Sequence, residues 1–178
     1  MKKILCIITV LAMSVMAFAQ NSKIPQTLEI AQIENEQGDT IVEVFNMPKD
    51  GQNHYYLDLG TLGFGDEYVQ VYFDPVHRLY IPLGDNLTQV LERLQEMKDL
   101  FKTEPGTSSE TLGCLAFPFP TDKLETVKIT SRRIIVTREL EFSVEREKCL
   151  RATRVSKSDF NSLVTSVKLY SKIHPKER

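Results

Sequence analysis

The sequence predicts an α+β fold: a mostly antiparallel sheet of about 7–8 strands, with two amphipathic helices at about 85–102 and 158–173 packed on one face. Short runs in which apolar and polar side chains alternate with a period of two recur along the chain, separated by Gly, Pro, Asn and Asp. Two longer stretches instead carry apolar residues at three- and four-residue intervals, the stripe of a helix lying on a core. Once an N-terminal leader is set aside, about 160 of the 178 residues remain, enough for one domain with a core and too few for two.

Residues 1–19 read as a signal peptide. Lys2 and Lys3 precede an apolar run from Ile4 to about Phe18, and Ala17-Phe18-Ala19 is a small-x-small cleavage site that would leave Gln20 first. The run is short for a membrane span and no stop-transfer charges follow it. Cys6 lies inside it, away from the position that lipid anchoring requires. The expectation is a soluble periplasmic or secreted protein, a single domain over 20–178 with no membrane span after cleavage. Losing Lys2 and Lys3 from 22 basic residues against 24 acidic ones leaves a net charge of about −4. Such a balance points away from nucleic acid and from an anionic membrane surface, both of which call for concentrated positive charge.

After a loose leader containing Pro25, Thr27–Ile33 and Thr40–Asn46 read as strands joined by the Glu34–Asp39 loop. Beyond a turn at Met47–Asn53, His54–Leu59 alternates, with Tyr55, Leu57 and Leu59 on one face and His54, Tyr56 and Asp58 on the other. Glycines 60, 63 and 65 bend the chain into Glu67–Phe73, a turn at Asp74-Pro75, and Arg78–Leu83. Val69, Val71, Phe73, Leu79 and Ile81 then belong to the core face, and Tyr68, Gln70, Tyr72, Arg78 and Tyr80 to the opposite one. The first helix is entered through Asp85 or Asn86 and carries Leu87, Val90, Leu91, Leu94, Met97, Leu100 and Phe101.

Residues 103–123 read as one long connection with an apolar middle, Leu112–Phe119, expected to dock on the body or to form a short edge strand because of Pro118 and Pro120. Thr126–Thr130 is a short strand, and Ile134, Val136, Leu140, Phe142 and Val144 mark one long strand that Arg138 interrupts, most simply at a bulge. Lys148–Val155 returns beside it, so Arg151 and Arg154 can face the glutamates in a solvent-facing ladder. The last helix starts at Ser158 and carries Phe160, Leu163, Val164, Val167, Tyr170 and Ile173, with Pro175 beyond its end.

Sequence motifs for catalysis are absent. His54, His77 and His174 are scattered, without the spacing of a metal centre, so neither metal nor cofactor is expected. Gly63-x-Gly65 lacks the Lys-Ser/Thr and the helix of a phosphate loop. In an oxidising compartment Cys114 and Cys149 are candidates for a disulfide, with two buried thiols as the alternative. The surface that remains is the sheet face carrying Tyr56, Tyr68, Tyr72 and Tyr80 with His54, Asp58, Gln70 and Arg78, where tyrosine offers a flat apolar ring and a hydroxyl together. It suits a non-catalytic binding or interaction module for a protein, peptide or glycan of the cell envelope, unless the 112–119 segment covers it. Two alternatives are an envelope hydrolase using Cys114 with His54 or His77, and a structural subunit of an envelope assembly.

Overall fold

The computed structural model describes residues 25–61, 63–64, 77–146 and 149–177. The expected leader and the strand expected at Glu67–Phe73, with Tyr68, Gln70 and Tyr72, lie outside them.

In chain order the elements are β1 (Leu28–Glu34), β2 (Thr40–Asn46), β3 (Tyr55–Thr61), β4 (Gly63–Phe64), β5 (Arg78–Gly84), α1 (Leu87–Asp99), β6 (Ser108–Ala116), β7 (Glu125–Ile134), β8 (Thr137–Arg146), β9 (Cys149–Ser156) and α2 (Lys157–Ile173). Short 3-10 turns follow each helix, at Leu100–Lys102 and Pro175–Glu177. The strands form one antiparallel sheet in the order β1-β2-β3-β5-β6-β7-β8-β9-β4. Because β4 continues β3 after a single residue, its pairing with β9 (Gly63 with Ala152, Phe64 with Arg151) curls the sheet back on itself.

Alternation sends Val42 and Val44, Tyr55, Leu57 and Leu59, and Leu79, Ile81 and Leu83 to the face that both helices cover. From α1 come Leu87, Val90, Leu94 and Met97, and from α2 Phe160, Leu163, Val164 and Val167, all buried in the same cluster. Burying side chains of this size contributes roughly 1.5–3 kcal/mol each, and this layer is where the fold gains most of its stability. Phe101 and Phe160 bring the two helices together at 5.8 Å between ring centroids. Tyr55 Oη donates to Glu177 Oε2 at 3.0 Å, fastening the C-terminal turn to the core face of β3.

Local chemistry explains the helix starts. Asn86 Oδ1 accepts from the Gln89 N–H, and the Gln89 side chain reaches back to accept from the Asp85 N–H, a reciprocal cap. That folded-back side chain leaves no room at Gly84, whose φ is 124° and where a Cβ would lie 2.7 Å from Gln89 Cβ. In α2 the cap is Ser156, whose Oγ accepts from the Asp159 N–H; the expected cap, Ser158, shares a hydrogen bond with Ser156 instead. Ile173, expected on the buried stripe, is exposed.

Three further expectations are corrected. Residues 103–123 contain β6, which pairs with β5 on one side and β7 on the other and so lies inside the sheet rather than at an edge. Pro118 and Pro120 fall beyond its last residue and cost it no ladder bonds. Gly113 admits the close approach: a Cβ there would meet Val127 Cγ2 at 2.6 Å and the Tyr80 carbonyl at 3.0 Å. The single long strand over 134–144 is two, because β7 ends at Ile134 and β8 begins at Thr137, with Ile135 and Val136 making the turn. Arg138 marks no bulge; it pairs in register with Arg133, and its guanidinium donates to the Thr103 carbonyl at 2.9 Å.

Across β7, β8 and β9 the expected solvent-facing charge ladder forms, with its guanidiniums exposed and one carboxylate buried between them. Glu141, with its side chain 6% exposed, accepts from Arg132 at 2.7 Å through Oε1 and from Arg154 at 2.9 Å through Oε2. Burial opposes its ionisation, but the two guanidiniums prevail and hold its carboxyl below the usual carboxylate range. Arg151 stands across from Val144.

Candidate functional site

On the side of the sheet away from the helices, β2, β3, β5 and β6 hold a second, smaller cluster. Register decides its membership: Glu43 pairs with Asp58, Phe45 with Tyr56, Asp58 with Tyr80, and Tyr80 with Cys114. The side chains that alternation turns away from the core therefore stand in adjacent rows. Phe45, Met47, Tyr80, Cys114 and Ala116 are buried there, with Tyr56 and Phe119 packed against them. Phe45 stacks on Tyr56 at 5.7 Å and meets the Tyr80 ring edge-on at 6.0 Å.

The segment after β6 turns over this face at Phe117–Phe119. Tyr80 Oη donates to the Pro118 carbonyl at 2.7 Å, fixing the segment to β5. Burial, and then the Asp58 charge, push the Tyr80 phenol far above its ordinary pKa, so it remains a donor. Phe117 itself is 65% exposed, a bare ring at the rim.

Between that segment and the strands lies a recess of about 320 Å³. It is lined by Asp58, Arg78 and Tyr80, by Glu43 and Phe45, by Phe117–Phe119 and by Thr27. Asp58 is 6% exposed; its Oδ2 accepts from Arg78 Nε at 2.8 Å and its Oδ1 from the Gly60 N–H at 2.8 Å. Burial, and then the neighbouring Asp58 carboxylate, raise the pKa of Glu43. Arg78 is 28% exposed and lines the recess beside two carboxylates and four aromatic rings. Such a surface can take up a flat or hydroxylated group through hydrogen bonds and ring contact.

A larger open groove of about 630 Å³ runs between α1 and α2, lined by Thr88, Leu91, Glu92, Gln95 and Lys168 among others. Most of those side chains are exposed, and no buried charge converges on it.

Of the residues expected to share a binding face, the structure brings together Asp58, Arg78 and Tyr80, with half-buried Tyr56 next to them on Phe45. Tyr80 is buried, not displayed. His54 stands apart: its Nδ1 lies 3.0 Å from Asp85 Oδ1, before β3 begins. Glu43, Phe45, Phe117 and Phe119 were not expected in the site. The alternation Val42, Val44 against Glu43, Phe45 carried the signal for the first two, but only the β2–β3 register places them beside Asp58.

Cys114 carries a free, fully buried thiol. Cys149 begins β9, and β7 and β8 stand between that strand and β6 in the sheet order. Burial pushes the Cys114 thiol up in pKa, against hydrogen bonds from Thr121 that pull it down. Among the described residues no group of three or more His, Cys, Asp or Glu is placed to hold a metal, and no helix is long and apolar enough to cross a membrane. No protein-family model, no curated protein and no solved structure matches the chain.

Proposed function

We propose that this protein is an exported, non-catalytic binding module whose ligand seats in the recess beneath Phe117–Phe119. The observation that carries the reading is the Asp58–Arg78 ion pair at 2.8 Å, its carboxylate buried and its guanidinium partly open to a cavity lined by aromatic rings. Burying such a pair costs desolvation that is seldom recovered as stability, whereas a few convergent polar groups among apolar rings is the composition of a ligand site. The volume suits one sugar ring or one amino-acid side chain, so the ligand class is the end of an envelope glycan or a peptide side chain.

The Cys114 hydrolase reading is weaker: its thiol is buried with a raised pKa, and His54 is engaged with Asp85. The structural-subunit reading differs by requiring no ligand in the recess.

The test is the native mass of the protein isolated gently from its own envelope, compared with its denatured mass and with an Arg78→Gln variant isolated in the same way. The expected result is extra mass that denaturation releases from the wild type and that the variant lacks. Bare protein in both preparations would overturn the reading, and rapid alkylation of Cys114 at neutral pH would favour the hydrolase in its place.

A further inference from the structure

At the far end of β7 and β8 the chain breaks two local rules at once. β6 pairs with β7 only up to Thr130, and β9 pairs with β8 only from Glu139, so the pairs Arg133–Arg138 and Ile134–Thr137 project past both neighbouring strands. The two-residue turn at the tip is Ile135-Val136, where such turns call for Gly, Asn or Asp. Ile135 has φ 54°, a left-handed conformation that a β-branched residue adopts only under strain. Burial does not compensate, because Ile135 is 88% and Val136 84% exposed, and Ile134 beside them is exposed as well. Neither turn chemistry nor packing in the isolated chain favours hydrocarbon here.

We propose that this hairpin tip is a membrane-docking element, Ile134, Ile135 and Val136 entering the headgroup–acyl boundary of an anionic bilayer while the arginines below them bind lipid phosphates. Charge supplies the argument for the partner. The neck carries Arg132, Arg133 and Arg138, with Arg154 beside it on β9, against Glu139 and Glu141. Arg133 and Arg138 stand opposite each other across the strands, an unfavourable pairing of like charges that a shared anion relieves. Glu141 serves both Arg132 and Arg154 and so cancels only one of them. On a chain with net charge −2, this local excess of cations lies immediately behind the exposed aliphatics. An apolar groove on another protein would bury the tip but offer nothing to the cationic excess behind it, whereas a bilayer with anionic headgroups answers both. The mild acidity of the whole chain conceals this patch because only the fold gathers Arg154 to the hairpin.

The sequence contains no tryptophan, so Val136→Trp supplies a single fluorescent reporter at the tip. The probes are vesicles of phosphatidylethanolamine with phosphatidylglycerol, and vesicles of phosphatidylcholine. The expected result is a blue shift and co-sedimentation with the anionic vesicles that weaken as salt rises. Ile135→Gly combined with Val136→Ser lowers wild-type co-sedimentation by about tenfold, with the unfolding midpoint kept or raised. Arg132→Gln with Arg133→Gln brings binding to the anionic vesicles down to the level of the neutral ones. Absence of binding to both vesicle types, or binding that the tip double variant leaves intact, would overturn the proposal. So would a photo-crosslinker at position 135 that, in the intact envelope, attaches to a protein and not to lipid.

Discussion

On the outer face of β2, β3 and β5 the protein buries charge, and at the end of β7 and β8 it exposes hydrocarbon. In the recess the departure is repaired from within: Asp58 is bonded by Arg78 and by the Gly60 N–H. At the tip it is not repaired, since Ile135 keeps both its strained backbone and its exposure. Buried polar groups persist when partnered, so the recess is stable as it stands. Exposed aliphatics have no such internal remedy, and only a second surface can cover the tip.

The largest effects should come from undoing the repair in the recess. Asp58→Ala leaves the Arg78 guanidinium without its partner and should cost about 3 kcal/mol by urea unfolding. Asp58→Leu with Arg78→Met, which removes both charges, should cost much less; equal losses would show that the pair is not coupled. Leu94→Ala, at a fully buried position of α1, should cost about 2–5 kcal/mol and calibrates the core against the recess. At the tip the sign reverses: Ile135→Gly should raise stability by about 1 kcal/mol, as glycine adopts the left-handed turn without strain. A destabilised variant would mean that the Ile135 side chain is held by contacts within the chain.

The smallest effects are in pH dependence. Glu43 has a raised pKa when folded, so its ionisation is disfavoured by folding and it weakens the protein as pH climbs through 4.5 and above. Glu43→Gln should therefore be more stable than wild type at neutral pH, with the gap closing below pH 4.5. Glu141 has a lowered pKa, so its contribution is present above 4.5 and is lost as pH falls through the folded value. The Glu141→Gln variant should show a flatter stability profile in acid than wild type, read as unfolding midpoint against pH.

Much of the fold is legible in the residues themselves. Thr40–Asn46 shows its bounds by alternation, α1 by its stripe and by Asn86, and the two faces of β3 and β5 by which residues share parity. What misleads is a place where a local rule fails. Ile134, Val136, Leu140, Phe142 and Val144 keep one parity straight through a hairpin turn, because that turn holds none of the residues that usually announce one. β6 is hidden by Gly113 and by prolines that lie just beyond it. The site is half legible for a related reason: parity assigns Asp58, Arg78 and Tyr80 to the outer face, but the neighbours Glu43 and Phe45 depend on register, and Phe117–Phe119 on a tertiary hydrogen bond.

The passage of β3 into β4 makes the hydrogen-bonded strands a closed circuit. From β3 the path runs through β5, β6, β7, β8 and β9 and returns by β4 to its starting strand. The half of the sheet that holds the recess and the half that holds the hairpin are thus joined at two seams, β5 with β6 and β4 with β9. Neither half can open without breaking both, so backbone amides at the recess and at the hairpin base should exchange with solvent as one cooperative unit.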